Sequence, residues 1–135
     1  QMVKLYKQFR CSIVAIQEVD GEDIEKFGVI EGEKLKENIF RVSNMVEKPK
    51  LAEAPSNMAI IGRYILTPDI FDILEKTPPG KGGEIQLTDA LLQQAQEGAV
   101  LAYRFKGTRY DCGSVEGYVE ATQYVYENIY RQPKA

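Results

Sequence analysis

Apolar positions along the chain follow two rhythms, one helical and one alternating, and together they predict helices and strands in mixture. Met2, Val3, Leu5, Tyr6 and Phe9 recur at helical spacing and mark an apolar face at the start of the chain. Cys11 to Gln17 is a short β-branched run of the kind that forms a buried strand. Asp20 to Phe27 is a polar link with room for one helical turn, and Gly28-Val29-Ile30 begins a short strand. The charged tract Glu31 to Asn38 reads as a hairpin excursion. Ile39 to Val46 returns from it as a strand with Phe40, Val42 and Val46 alternating onto one face, and Met58 to Leu66 is the next strand.

The second half is more helical. Thr67-Pro68-Asp69 has the parts of a helix start: a hydroxyl that can cap free amides, a proline suited to the first helical position and an acid for the positive end. That helix is expected to run to about Lys76. Pro78-Pro79-Gly80 and the glycines at 82 and 83 make a loop, after which Leu87, Ala90, Leu91, Gln94 and Ala95 mark a helix ended by Gly98. Val100 to Phe105 reads as a strand. A last helix, capped by Ser114, carries Val115, Tyr118, Val119, Val125, Tyr126 and Ile129 on one stripe. The mixture predicts an α/β fold without repeats or low-complexity tracts.

Composition narrows the class. The chain has 135 residues, enough for one domain, with 44% hydrophobic and 27% charged residues. A net charge of −3 with interspersed signs argues against nucleic acid or an anionic membrane as partner. No apolar stretch approaches the roughly twenty residues a membrane span needs. Cys11 and Cys112 lie far apart with no companion ligand, which predicts a reduced, cytoplasmic protein in which Cys11 is a core residue and Cys112 packs rather than reacts. The absence of histidine removes the usual serine and cysteine triads and any His-ligated zinc from this segment.

One place gathers chemistry. In Met45-Val46-Glu47-Lys48-Pro49-Lys50 an acid and a base stand together where an apolar strand ends, because Pro49 cannot donate to a sheet ladder. That is expected to leave Glu47 and Lys48 at a sheet edge facing a loop, and strand ends of open α/β sheets are where ligands bind. Lys48 offers a compact mobile cation suited to a phosphate. Glu47, when ionised, only accepts hydrogen bonds and suits sugar hydroxyls. On composition alone the same pair could be two solvated charges. Gly28 could let backbone approach a ligand closely or simply open a strand. Ile60 and Ile61 could wall a pocket but read more simply as core. Asp111 could hydrogen-bond a turn around Gly113. Glu84 and Asp89 read as charges near a positive helix end, Arg63 as a surface residue, and Tyr118 and Tyr126 as core or subunit contacts.

Taken in order, Glu47-Lys48-Pro49, Ala59-Ile60-Ile61-Gly62-Arg63-Tyr64, Lys76 to Gly80 with Gly83 to Ala90, and Asp111-Cys112-Gly113 resemble the C-terminal half of bacterial UTP:glucose-1-phosphate uridylyltransferases, the UDP-glucose pyrophosphorylases. The resemblance runs from about Val14 to about Ile129. It implies a Rossmann-like nucleotidyltransferase fold, a mixed sheet flanked by helices, of which residues 1–135 would be the sugar-phosphate-binding C-terminal portion. It implies an enzyme that transfers a uridylyl group from UTP to glucose 1-phosphate, giving UDP-glucose and pyrophosphate. By the resemblance Lys48 is the catalytic residue holding the sugar phosphate, Glu47 holds glucose hydroxyls, Gly28 contacts the sugar through its backbone and Asp111 helps bind magnesium. A homo-oligomer is expected.

Nothing in the chain reads as the glycine-rich triphosphate cradle with which such enzymes begin. The chain is therefore expected to be a fragment, inactive alone, lacking the nucleotide-binding N-terminal half. Two alternatives stay open: another sugar nucleotidyltransferase, such as a thymidylyl one, or a non-catalytic sugar-phosphate-binding or oligomerisation module.

Overall fold

The computed structural model describes residues 1–131 and divides the chain into two compact units, Gln1–Phe105 and Lys106–Ala135. The first unit holds five strands, β1 (Ser12–Glu18), β2 (Gly28–Lys36), β3 (Ile39–Glu47), β4 (Met58–Ile65) and β5 (Val100–Arg104), with helices α1 (Met2–Phe9), α2 (Ile70–Leu74) and α3 (Leu87–Glu97). The strands are hydrogen-bonded in the ring β1-β4-β2-β3-β5, which closes on itself. The β1–β5 pair is parallel and the others are antiparallel, so the sheet is mixed and flanked by helices as expected.

Residues Ile13 to Ile16 of β1 are all buried because the strand is covered on both faces. Ile13, Ile39 and Leu101 pack with Met2, Leu5, Tyr6 and Phe9 of α1. Val14 and Ile16 belong instead to the main core with Phe40, Val42, Met45 and Ile60, closed by Ile70 and Ile73 of α2 and Ala90 and Leu91 of α3. Full burial of one such side chain contributes about 1.5–3 kcal/mol. Val3, assigned by its spacing to the apolar face of α1, is exposed. Cys11, expected in the core, is half-buried at its margin against the α1 cluster, and partial burial pushes its thiol pKa up.

Three local expectations change. The tract Glu31 to Asn38 does form a hairpin, but as part of the sheet: β2 continues through it to Lys36 and pairs with β3 down to Lys36–Ile39. Alternation in β3 also shifts phase. Glu31 pairs with Asn44 but Gly32 with Val42, so Ser43 is an extra residue on β3, a bulge after which Met45 is buried and Val46 only half-buried. Gly32 is required here, since a Cβ on it would stand 2.5 Å from the Arg41 carbonyl oxygen.

Thr67 is the third change. It does not cap α2; its backbone N–H donates to Ser12 Oγ at 3.0 Å, and its hydroxyl accepts from Gln94 Nε2 at 2.9 Å. Gln94 also donates to Asp69 Oδ2 at 2.7 Å. This network ties the starts of β1 and α2 to α3. The Thr67 hydroxyl, then the Gln94 amide, holds the Asp69 carboxyl below the ordinary carboxylate range. The helix itself spans five residues, ending at Leu74 rather than Lys76. At the opposite end of the ring Arg104 pairs with Glu18 and donates to Asn38 Oδ1 at 3.3 Å, joining β1, β5 and the β2–β3 turn.

The second unit is built on α4 (Val115–Val125), which continues into a wider π-type turn at Tyr126–Tyr130. Ser114 caps α4 as expected, its hydroxyl accepting from Gly117 N at 3.1 Å. The stripe Val115, Tyr118, Val119, Val125, Tyr126 and Ile129 is exposed. Among the described residues no helix is long and apolar enough to cross a membrane.

Candidate functional site

Glu47 ends β3 and pairs across the ladder with Gly28, which opens β2. The next residue, Lys48, takes a left-handed backbone with φ 46°, a conformation that costs a residue with a Cβ about 1–2 kcal/mol. Two bonds hold it there. The Lys48 N–H donates to the Phe27 carbonyl at 3.0 Å, and Lys81 Nζ donates to the Lys48 carbonyl. Consecutive strand residues point to opposite faces. The left-handed turn relaxes that rule, and Lys48 Nζ comes to 3.9 Å from Glu47 Oε1. Because the ring closes, the pair stands on its rim and not at a sheet edge, which corrects the open-sheet expectation.

The two side chains differ in freedom. Lys48 is 54% exposed, whereas Glu47 is 16% exposed. Glu47 Oε2 accepts from the Thr88 hydroxyl at 2.5 Å, a short charge-assisted bond. Oε1 is the oxygen turned to Lys48. Burial and then the Glu47 charge raise the Tyr64 phenol pKa, so Tyr64 feels the same carboxylate. Lys81 and Gln86 bind the following loop to this corner, Gln86 Nε2 donating to the Lys81 carbonyl at 2.9 Å. The arrangement is a fixed carboxylate beside a mobile ammonium on a solvent-facing rim, able to accept from hydroxyls and attract a phosphate.

Gly28 is buried, and the room left by its missing Cβ is filled from within the protein. A Cβ there would stand 3.0 Å from Glu47 Oε2, 3.1 Å from Thr88 Oγ1 and 3.3 Å from Ile60 Cδ1. The glycine thus makes space for the Glu47–Thr88 bond. Ile60 is core as expected.

Asp111 lies in the second unit. Its Oδ2 accepts from Arg109 at 2.7 Å and its Oδ1 from the Gly113 N–H at 3.0 Å, the turn contact that its sequence context allowed. No group of three or more His, Cys, Asp or Glu able to hold an ion occurs among the described residues. A carboxylate engaged at both oxygens, with a guanidinium beside it, does not by itself fit a magnesium site. Cys112 is exposed, not packed away. Asp89 does not pair with Glu84; it sits against Gly80, whose missing Cβ leaves it room.

The residue missed from sequence is Thr88. A hydroxyl at the start of a helix ordinarily signals a cap, and its actual partner lies forty-one residues away. Lys81 was missed similarly, as one more surface lysine in a glycine-rich loop.

Comparison with known proteins bears on this geometry. The nucleotidyl transferase family model matches residues 1–128. A UTP–glucose-1-phosphate uridylyltransferase of Pseudomonas aeruginosa is 71% identical over the whole chain, which covers 48% of that protein. Among solved structures, UDP-glucose pyrophosphorylase complexed with UDP-glucose superposes with a TM-score of 0.89 at 59% identity, over 94% of this chain and 48% of that one. A UTP-bound UGPase from Acinetobacter baumannii gives 0.79 at 32% identity, over 95% of this chain and 44% of that one. The chain spans about half the length of the curated relatives it matches, and that share does not carry its assignment to their C-terminal half. A mixed sheet flanked by helices, a rim bearing an acid and a base, and a family match over nearly every residue agree: this chain belongs to the nucleotidyl transferase family.

Proposed function

We propose that the chain is the sugar-phosphate-binding part of an enzyme that transfers a uridylyl group from UTP to glucose 1-phosphate. The observation that carries this is the Glu47–Lys48 corner, where the left-handed Lys48 sets an exposed ammonium beside a carboxylate fixed by Thr88. The similarity to proteins named for that activity supports the choice of substrates.

In the proposed reaction Glu47 Oε1 accepts hydroxyls of glucose and Lys48 attracts its phosphate. A phosphate oxygen attacks the α-phosphorus of UTP, and a new P–O bond forms as the bond to the bridging oxygen breaks. Pyrophosphate leaves with that electron pair, and UDP-glucose remains. The attacking oxygen is already ionised, so positioning and charge offset matter more than a general base. Lys48 supplies both on the sugar side. Magnesium, when bound in such a transfer, would offset charge on the triphosphate, and Asp111 would need further oxygen ligands beside it to hold the ion.

The substrates of such a transfer, and two cysteines outside any disulfide, support a cytoplasmic location. The exposed apolar residues of α4 suit self-association into a homo-oligomer.

The experiment is a pyrophosphate-release assay on the full-length enzyme carrying this segment. Lys48→Ala should cost about one to two decades in kcat/KM for glucose 1-phosphate, the worth of a charged hydrogen bond of about 1.5–3 kcal/mol, and should leave UTP affinity unchanged. Loss of UTP binding with the sugar phosphate unaffected would remove Lys48 from the sugar side.

A further inference from the structure

We propose that Thr88 is a positioning residue: its hydroxyl takes one oxygen of Glu47, so that Glu47 meets the sugar with Oε1 alone. The proposal rests on the uridylyl-transfer reading above and concerns the same rim. Four observations converge on it.

The Thr88–Glu47 bond is 2.5 Å long. Thr88 is 6% exposed, so water does not compete for its hydroxyl. The third is the space kept for the bond, since a Cβ on Gly28 would stand 3.0 Å from Glu47 Oε2 and 3.1 Å from Thr88 Oγ1, and only a glycine leaves both where they are. Last, the hydroxyl is not spent on its own helix: the N-cap of α3 is Gln86, which makes no side-chain capping bond. A residue type that usually caps the first turn is directed at a distant carboxylate instead.

An ionised carboxylate has about four acceptor positions shared between two oxygens, and rotation about its last bond would exchange them. With Oε2 held by Thr88, that rotation is stopped. The charge stays aimed at the place where Lys48 Nζ stands 3.9 Å from Oε1, and sugar hydroxyls meet an oxygen of fixed direction. Thr88 touches no substrate in this scheme and acts through Glu47.

The test is a mutant cycle in the full-length enzyme, read as KM for glucose 1-phosphate against KM for UTP and kcat. Thr88→Val keeps shape and removes the hydroxyl; it should raise the sugar-phosphate KM about tenfold, the worth of about 1.4 kcal/mol, with the KM for UTP unchanged. Thr88→Ser restores the hydroxyl and should return the KM to within about twofold of the parent. In a Glu47→Ala background Thr88→Val should add nothing, because the group it positions is gone. Should Thr88→Val fail to fold, Thr88→Ala serves in the same cycle.

The proposal is overturned if Glu47→Ala raises the sugar-phosphate KM and Thr88→Val does not, or if the Thr88 effect persists undiminished without Glu47. A Glu47→Ala enzyme with an unchanged sugar-phosphate KM is a different result. It would overturn the assignment of the rim to the sugar, and this proposal with it.

Discussion

Gly28 faces Glu47 across the β2–β3 ladder, and the absence of its Cβ is what lets the Glu47 carboxylate lie against Thr88. Gly28→Ala would press a methyl group to 3.0 Å from an oxygen already fixed by a hydrogen bond. We expect a loss of about 1 kcal/mol in stability from overpacking. A rise in KM for glucose 1-phosphate should accompany it in the full-length enzyme. Urea denaturation and steady-state kinetics on one preparation check both; an unchanged KM would show that the carboxylate can yield without consequence.

Gly32→Ala should be more damaging to the fold and irrelevant to the rim. Its Cβ would meet the Arg41 carbonyl oxygen at 2.5 Å, and a paired backbone cannot move aside as a side-chain tip can. We expect about 1–3 kcal/mol of destabilisation, measured by denaturant midpoint. A variant as stable as the parent would mean that the bulge at Ser43 relaxes freely.

Asp69 should contribute to acid sensitivity. Its folded pKa is depressed, first by the Thr67 hydroxyl and then by the Gln94 amide. A depressed carboxylate adds stability that is present above its unfolded pKa, about 3.9, and lost as pH falls through the lower folded value. Asp69→Asn should therefore be less stable than the parent at neutral pH, with the gap narrowing below about pH 4. Denaturant melts at several pH values test this, and a gap that widens on acidification would contradict it.

The exposed stripe on α4 makes a prediction about association. Val119 is 56% exposed and Ile129 64% exposed, among six neighbouring apolar residues of the same stripe. The 135-residue chain should associate in a concentration-dependent way. Val119→Asp with Ile129→Asp should shift sedimentation toward the monomer. A parent chain that is monomeric at every concentration would refute it.

How much of this was legible in the sequence depends on how far apart the interacting residues lie. Local pattern located α1, α3, β1 and the start of α4 within a residue or two, because each carries its signal in its own apolar spacing or β-branched run. The end of β3 was legible because Pro49 stands two residues beyond it, and that brought Glu47 and Lys48 into view. The far half of β2 was hidden, since exposed charged residues at a hairpin tip show no apolar alternation. The Ser43 bulge, the use of Thr67 by Ser12 and Gln94, and the Thr88–Glu47 bond are all decided by partners distant along the chain. No local pattern announces them.

Closure of the ring carries one more consequence. An open sheet ends in a row of unanswered amides and carbonyls that can template a further strand from another molecule. Here β1 and β5, which would be borders, satisfy each other in parallel from Ser12–Val100 to Ile16–Arg104. Strand addition, and the cross-β polymerisation that can grow from it, has no starting ladder along β1 or β5.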